Sequence, residues 1–179
     1  MKILTLPINN QDHIKGPRNA PVQVVVYGDY QCCYCGGASL VVNAIERSLS
    51  GQMALAFRHF PLSYLHPFAE KAAIAAEAAG RQGKFWFMHN MIFQYQKQLN
   101  AKTLFVFAEE LQLNTKVFKM DITDHALSEK VAADQDSGAR SGVNGTPSFF
   151  INGYKYSGPY DFKSLAGAIG DMFVEQNTR

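Results

Sequence analysis

The chain has 179 residues, with 17 Lys plus Arg against 15 Asp plus Glu for a formal charge of +2, and 47% of residues are hydrophobic against 18% charged. A chain of this length buries about 70% of its unfolded surface without covalent staples, so disorder and fibrous architectures are excluded. The near-balanced charge, with no Lys/Arg run, gives no electrostatic argument for nucleic acid.

No apolar stretch approaches the roughly 18 residues of a membrane span. Met1 to Pro7 offers too short an apolar run for a secretory leader, so a cytoplasmic location is the expectation. The three cysteines, at 32, 33 and 35, are clustered rather than dispersed as in a secreted disulfide scaffold. Such clustering points to chemistry rather than stapling.

In chain order, the first strong element is Val22 to Tyr27, a β-branched run bounded by Pro21 and by Gly28-Asp29. It reads as a strand buried on both faces. From Cys35 onward, Leu40, Val41, Ala44, Ile45 and Leu49 recur as one face of a helix, which Gly51 stops. Met53, Leu55 and Phe57 then alternate up to Arg58-His59-Phe60-Pro61, a second strand ended by proline. Strand, helix and strand make a βαβ unit.

The middle of the chain changes character. Phe68 to Ala79, Phe85 to Leu99, Thr103 to Leu111 and Thr123 to Arg140 all read as helices. Ser148 to Ile151 and Tyr154 to Tyr156 then flank Asn152-Gly153, a strong hairpin signal. A closing helix follows, with Asp161 as N-cap and Leu165, Ile169, Met172 and Phe173 on one face. Both β-rich pieces need a shared sheet to bury two faces, which favours one α/β core carrying a helical insertion.

The chemistry concentrates between the first strand and its helix, at Asp29-Tyr30-Gln31-Cys32-Cys33-Tyr34-Cys35. Cys32 and Cys35 are one helical turn apart and able to close a disulfide. At a helix start, unpaired N–H groups and the helix dipole favour a thiolate, making Cys32 a nucleophile with a depressed pKa. Cys32 is then expected to attack a substrate disulfide, and Cys35 to resolve the mixed disulfide.

Gly28 to Cys35, together with Val143-Asn144-Gly145-Thr146-Pro147-Ser148-Phe149-Phe150-Ile151-Asn152-Gly153, resembles the DsbA-like branch of the thioredoxin superfamily, in particular its variants without an export signal. The resemblance runs from about Asp12 to the carboxyl end. It includes Arg58 to Leu62, Gly83-Lys84-Phe85-Trp86 and Met88-His89. It implies a thioredoxin-like fold, βαβ then ββα, with residues 1–62 and 143–179 forming the core and 63–142 an inserted helical domain. It also implies a cis bond between Thr146 and Pro147 facing the thiols, with Thr146 and Pro147 binding an extended substrate.

The implied activity is a protein disulfide oxidoreductase acting on protein or peptide thiols, with glutathione a further candidate. No dissociable cofactor is needed, because the Cys32–Cys35 pair carries the electrons. Cys33 departs from the family pattern, which has proline or another non-thiol residue there. Adjacent cysteines pair poorly, so Cys32–Cys35 is the favoured disulfide. Cys33 and Tyr34 are read as modulators of the pair.

Each remaining candidate has two readings. Asp29 is either a proton acceptor near Cys35 or the maker of a turn. Arg58 and His59 either stabilise a thiolate or form a solvated or hydrogen-bonded strand end. Phe85, Trp86, Met88 and Phe93 either line a substrate groove or belong to the core. Two other functional classes remain: a soft-metal module holding zinc or copper on Cys32, Cys33 and Cys35 with one of His59, His66 or His89, and a glutathione-dependent kappa-like transferase or isomerase. The expectation for metal is none.

Overall fold

The computed structural model describes residues 2–49 and 51–177. The elements run β1 (His13–Lys15), β2 (Val22–Gly28), α1 (Cys33–Ser48), β3 (Met53–His59), α2 (Ala69–Arg81), α3 (Phe85–Gln94), a 3₁₀ turn (Gln96–Gln98), α4 (Ala101–Glu110), α5 (Thr115–Asp121), α6 (His125–Arg140), β4 (Ser148–Ile151), β5 (Tyr154–Tyr156) and α7 (Phe162–Asn177). One sheet joins both β-rich pieces in the order β1-β3-β2-β4-β5. β2 pairs parallel with β3 and antiparallel with β4, so the two halves of the chain meet on its central strand.

The period of two explains why β2 is apolar throughout. Val22, Val24 and Val26, with Met53, Leu55 and Phe57 of β3 and Phe149 and Ile151 of β4, face one core cluster. Val25 and Tyr27, with Ala56 and Phe150, face the other. Residues of α1, α2, α3 and α7 belong to the first cluster, as do Leu127 and Val131 of α6, whose later part reaches Tyr27 on the second face through Ser137. Gly138 allows that crossing, since a Cβ there would stand 2.8 Å from Phe60 and 2.9 Å from Tyr27. The Thr146–Pro147 peptide bond, immediately before β4, is cis. The hairpin turn has positive φ at both Asn152 (46°) and Gly153 (84°), the conformation that this residue pair tolerates.

Several details differ from the sequence reading. β3 alternates between the two clusters, as its sequence does, but all of its residues are buried, the polar Arg58 and His59 included. The buried side of α1 is Cys35, Ala38, Val42 and Ile45, while Leu40 is 74% exposed. The buried face is therefore rotated toward Ala38 and Val42 relative to the expected one, with Ile45 common to both. β1 and α5 carried no legible signal, being three and seven residues long. The stretch from Phe85 to Leu99 is divided, with helix ending at Gln94 and a 3₁₀ turn following.

Candidate active site

β2 ends at Gly28, where a Cβ would lie 2.5 Å from the Phe57 ring. The chain then turns through Asp29 to Gln31 and enters α1 with Cys32 as N-cap. Backbone N–H groups of Cys35 and Gly36 donate to the Cys32 carbonyl at 3.0 and 3.2 Å. Cys32 and Cys35 are buried thiols on the side facing the sheet, and Cys33 is exposed. One helical turn thus places residues 32 and 35 together and swings residue 33 away. Tyr34 also points outward, at 65% exposure.

The two sulfurs are electrostatically unequal. The Cys35 thiol donates a hydrogen bond to Cys32, and the N–H groups of Cys35 and Tyr34 add to it. Against the opposing effect of burial, these lower the Cys32 pKa to about 5. The same hydrogen bond, together with burial, raises the Cys35 pKa. Cys35 therefore keeps its proton while Cys32 loses its own at neutral pH. In its thiol form Cys32 donates to the Thr146 carbonyl at 3.4 Å. The Asp29 backbone N–H donates to Cys35 Sγ at 3.4 Å.

Asp29 makes a turn. Its Oδ1 accepts from the N–H groups of Gln31 (2.7 Å) and Cys32 (3.3 Å), and its Oδ2 accepts from Leu62 N–H (2.8 Å) and meets His66 Nδ1 at 2.8 Å. Both oxygens are engaged in hydrogen bonds, the geometry of the turn-making one of its two readings. Arg58 and His59 are neither solvated nor directed at the thiols. Arg58 forms a bidentate pair with Asp12 (2.8 and 2.9 Å), and His59 Nε2 meets Glu77 at 2.8 Å.

The cysteines and histidines considered as a metal set do not converge. Besides His59 on Glu77 and His66 on Asp29, Nδ1 of His89 faces the Tyr30 hydroxyl at 3.0 Å. Among the described residues, the group with converging ligand atoms is His59, Glu77 and Asp134, and it contains no thiol. Lys130 already occupies its Asp134 oxygen at 2.7 Å.

Phe85 and Met88 are core residues, whereas Trp86 and Phe93 are partly buried and line a small cavity beside Cys35. On the outer side, an opening of about 430 Å³ is lined by Tyr34, Asn144, Thr146, Pro147, Ser148 and Tyr160. Two contributors were invisible in the sequence. Gln96 Nε2 donates to the carbonyls of Tyr30 (2.7 Å) and Cys32 (2.8 Å), bracing the thiol turn from the helical segment. Tyr160 closes the opening from the far end of the chain. Neither lies in a motif, and only the fold brings them near.

A buried, polarised pair of thiols at the start of α1, faced by the loop before β4, defines a thioredoxin-fold redox site. The family described as Thioredoxin matches residues 9–171, and the chain belongs to it. Among solved structures it is similar to Wolbachia pipientis alpha-DsbA1, with 25% identity, a TM-score of 0.81 and coverage of 97% of this chain and 98% of that one. It shares its fold with a thioredoxin-like oxidoreductase from Silicibacter pomeroyi DSS-3, with 23% identity, a TM-score of 0.78 and coverage of 96% and 95%.

In sequence, the chain is 39% identical over 177 residues to Na(+)/H(+) antiporter NhaA 1 of Salinispora arenicola, covering 98% of this chain and 27% of the antiporter. It is 34% identical over 169 residues to NhaA 1 of Mycobacterium sp. strain KMS, covering 93% and 28%. The chain thus spans little more than a quarter of the curated relatives it matches.

Proposed function

We propose that the protein is a thiol–disulfide oxidoreductase acting on protein or peptide substrates. The observation that carries this reading is the placement of Cys32 as N-cap of α1, 3.4 Å from the Thr146 carbonyl, with the buried Cys35 one turn behind it, an arrangement that lowers the Cys32 pKa and raises that of Cys35. The Cys32 thiolate attacks a substrate disulfide and forms a mixed disulfide. Cys35 then attacks Cys32 Sγ and releases the substrate thiol. An extended segment lying in the opening beside Thr146 and Pro147 would pair with the Thr146 backbone and present its sulfur to Cys32. The reaction needs no dissociable cofactor, since the cysteine pair itself cycles.

Among the described residues lining that opening there is no lysine or arginine to meet the carboxylates of glutathione, which supports a peptide substrate over a glutathione transferase. All three cysteines lie at this one site rather than stapling the fold, which supports a reducing, cytoplasmic setting. The match to part of Na(+)/H(+) antiporters supports a second reading, in which the exchange serves a membrane transporter.

Cys35→Ser decides the main question. Mass spectrometry after incubation with a disulfide-containing peptide is expected to find a stable adduct on Cys32 and turnover reduced to background. Full turnover in that variant would exclude the two-thiol mechanism in favour of a single-thiol transferase.

A further inference from the structure

The helical insertion carries a cavity of about 210 Å³ between α2, α4 and α5. Ala75, Leu104 and Phe118 are buried and form its floor, Phe105 and Ile122 are its half-buried sides, and Lys71 stands exposed at its mouth. No residue lines both this cavity and the opening beside Thr146. Nothing in the thiol chemistry uses it.

Its walls select an apolar occupant. Among the described residues that line it, Lys71 is the one polar or charged side chain, and the rest are alanine, leucine, isoleucine and phenylalanine. Such walls offer a water too few of the roughly two to four polar partners it needs. An engineered apolar cavity of about 150 Å³ in another protein takes up benzene, and scaling its six carbons to the present volume gives room for about eight.

Lys71 selects the other end of the occupant. Its ammonium stands 5.6 Å from the Phe68 ring centroid and pairs with no carboxylate among the described residues. Glu70 precedes it, but is exposed and does not line the cavity. A cation left unneutralised at the rim of low-polarity walls attracts an anion more strongly than one surrounded by water. The positive end of α2, which begins at Ala69, adds to the same sign.

We propose that this cavity binds a medium-chain aliphatic carboxylate of about eight carbons, its chain lying against Phe105 and Phe118 and its carboxylate meeting Lys71. Each part of the ligand answers one part of the site. The chain fills volume that the surrounding side chains leave unpacked, and the head neutralises the one charge at the mouth while staying in contact with solvent. An alkylammonium of the same length would fit the walls and be repelled at the rim.

Octanoate is the probe, with octylammonium as the counter-probe, each titrated into the full chain and followed by NMR. One saturable site for octanoate is expected, with a Kd on the order of 1 mM, which a ligand of this size allows. Lys71→Met, at an exposed position, should weaken octanoate about threefold to tenfold. Lys71→Glu should invert the preference, so that octylammonium binds more tightly than octanoate. Ala75→Leu fills the cavity from its floor and should abolish binding of both. Nuclear Overhauser effects from the chain methylenes to the Phe105 and Phe118 rings locate the ligand in the wild type, whether or not the leucine variant folds. Absence of saturable binding up to about 10 mM, an unchanged octanoate affinity in Lys71→Met, or contacts to other rings alone would overturn the proposal.

Discussion

Cys32 sits where two kinds of donor converge: a neighbouring thiol and backbone N–H groups at the start of a helix. The helix start was legible from the sequence, but the leading contribution comes from Cys35, whose own proton is retained first by that hydrogen bond and then by burial. Reduced protein is expected to show thiolate absorbance near 240 nm with a midpoint at about pH 5, absent in Cys32→Ser. The sign for stability follows. A thiol depressed from about 8.5 contributes its full stabilisation of the reduced form above the unfolded value, and loses it as pH falls through about 5. Since a stabilised thiolate favours the reduced pair, equilibrium with glutathione should give a potential less negative than thioredoxin's roughly −270 mV. Asp29 carries a different kind of prediction. Asp29→Ala removes the acceptor of three backbone N–H groups, and urea unfolding should show a loss of about 3 kcal/mol or more.

At the scale of elements, the apolar pattern located the central strands and most helices because each buries a continuous stripe. It failed where an element is short or its burial is decided by a neighbour. Leu40 fits the helical period of α1 yet faces solvent, because the sheet covers only the side marked by Ala38, Val42 and Ile45. The 3₁₀ turn after α3 looked like continued helix, yet ending the helix there is what brings Gln96 to the Tyr30 and Cys32 carbonyls. Gln96→Ala should lower the free energy of unfolding by about 1–3 kcal/mol, two carbonyls losing a donor. Leu40→Ala, as an exposed control, should change it by less than about 0.5 kcal/mol.

Across the whole molecule, a buried charge network ties distant segments together. Glu77 of α2 faces His13 of β1 at 2.9 Å and His59 of β3 at 2.8 Å, while Lys130 of α6 stands 4.0 Å away and holds Asp134. Burial raises the Glu77 pKa, but the hydrogen bonds from His13 and His59 outweigh it and leave the carboxyl well below the usual glutamate range. A depressed carboxylate contributes stability above its unfolded value of about 4.3, and that stability drains away as pH falls below it. Thermal melts should therefore show Tm dropping steeply below about pH 4.3 in the wild type. Glu77→Gln should be less stable at pH 7 and show a shallower acid dependence. An equally steep acid loss in that variant would remove Glu77 as the cause.

Residue types and their spacing by themselves determined the α/β class, the βαβ…ββα order, the hairpin at Asn152-Gly153 and the reactive pair Cys32 and Cys35. All of these are local, since a period, a turn preference or one helical turn is complete within a few residues. Only the tertiary structure decided that Asp29 also ties Leu62 and His66 to the turn, that Arg58 and His59 serve buried ion pairs, and that Gln96, Tyr160 and His89 stand near the thiols. Those roles depend on which side chains meet across the fold, and contact between residues far apart in the chain leaves no periodic trace in the order of amino acids.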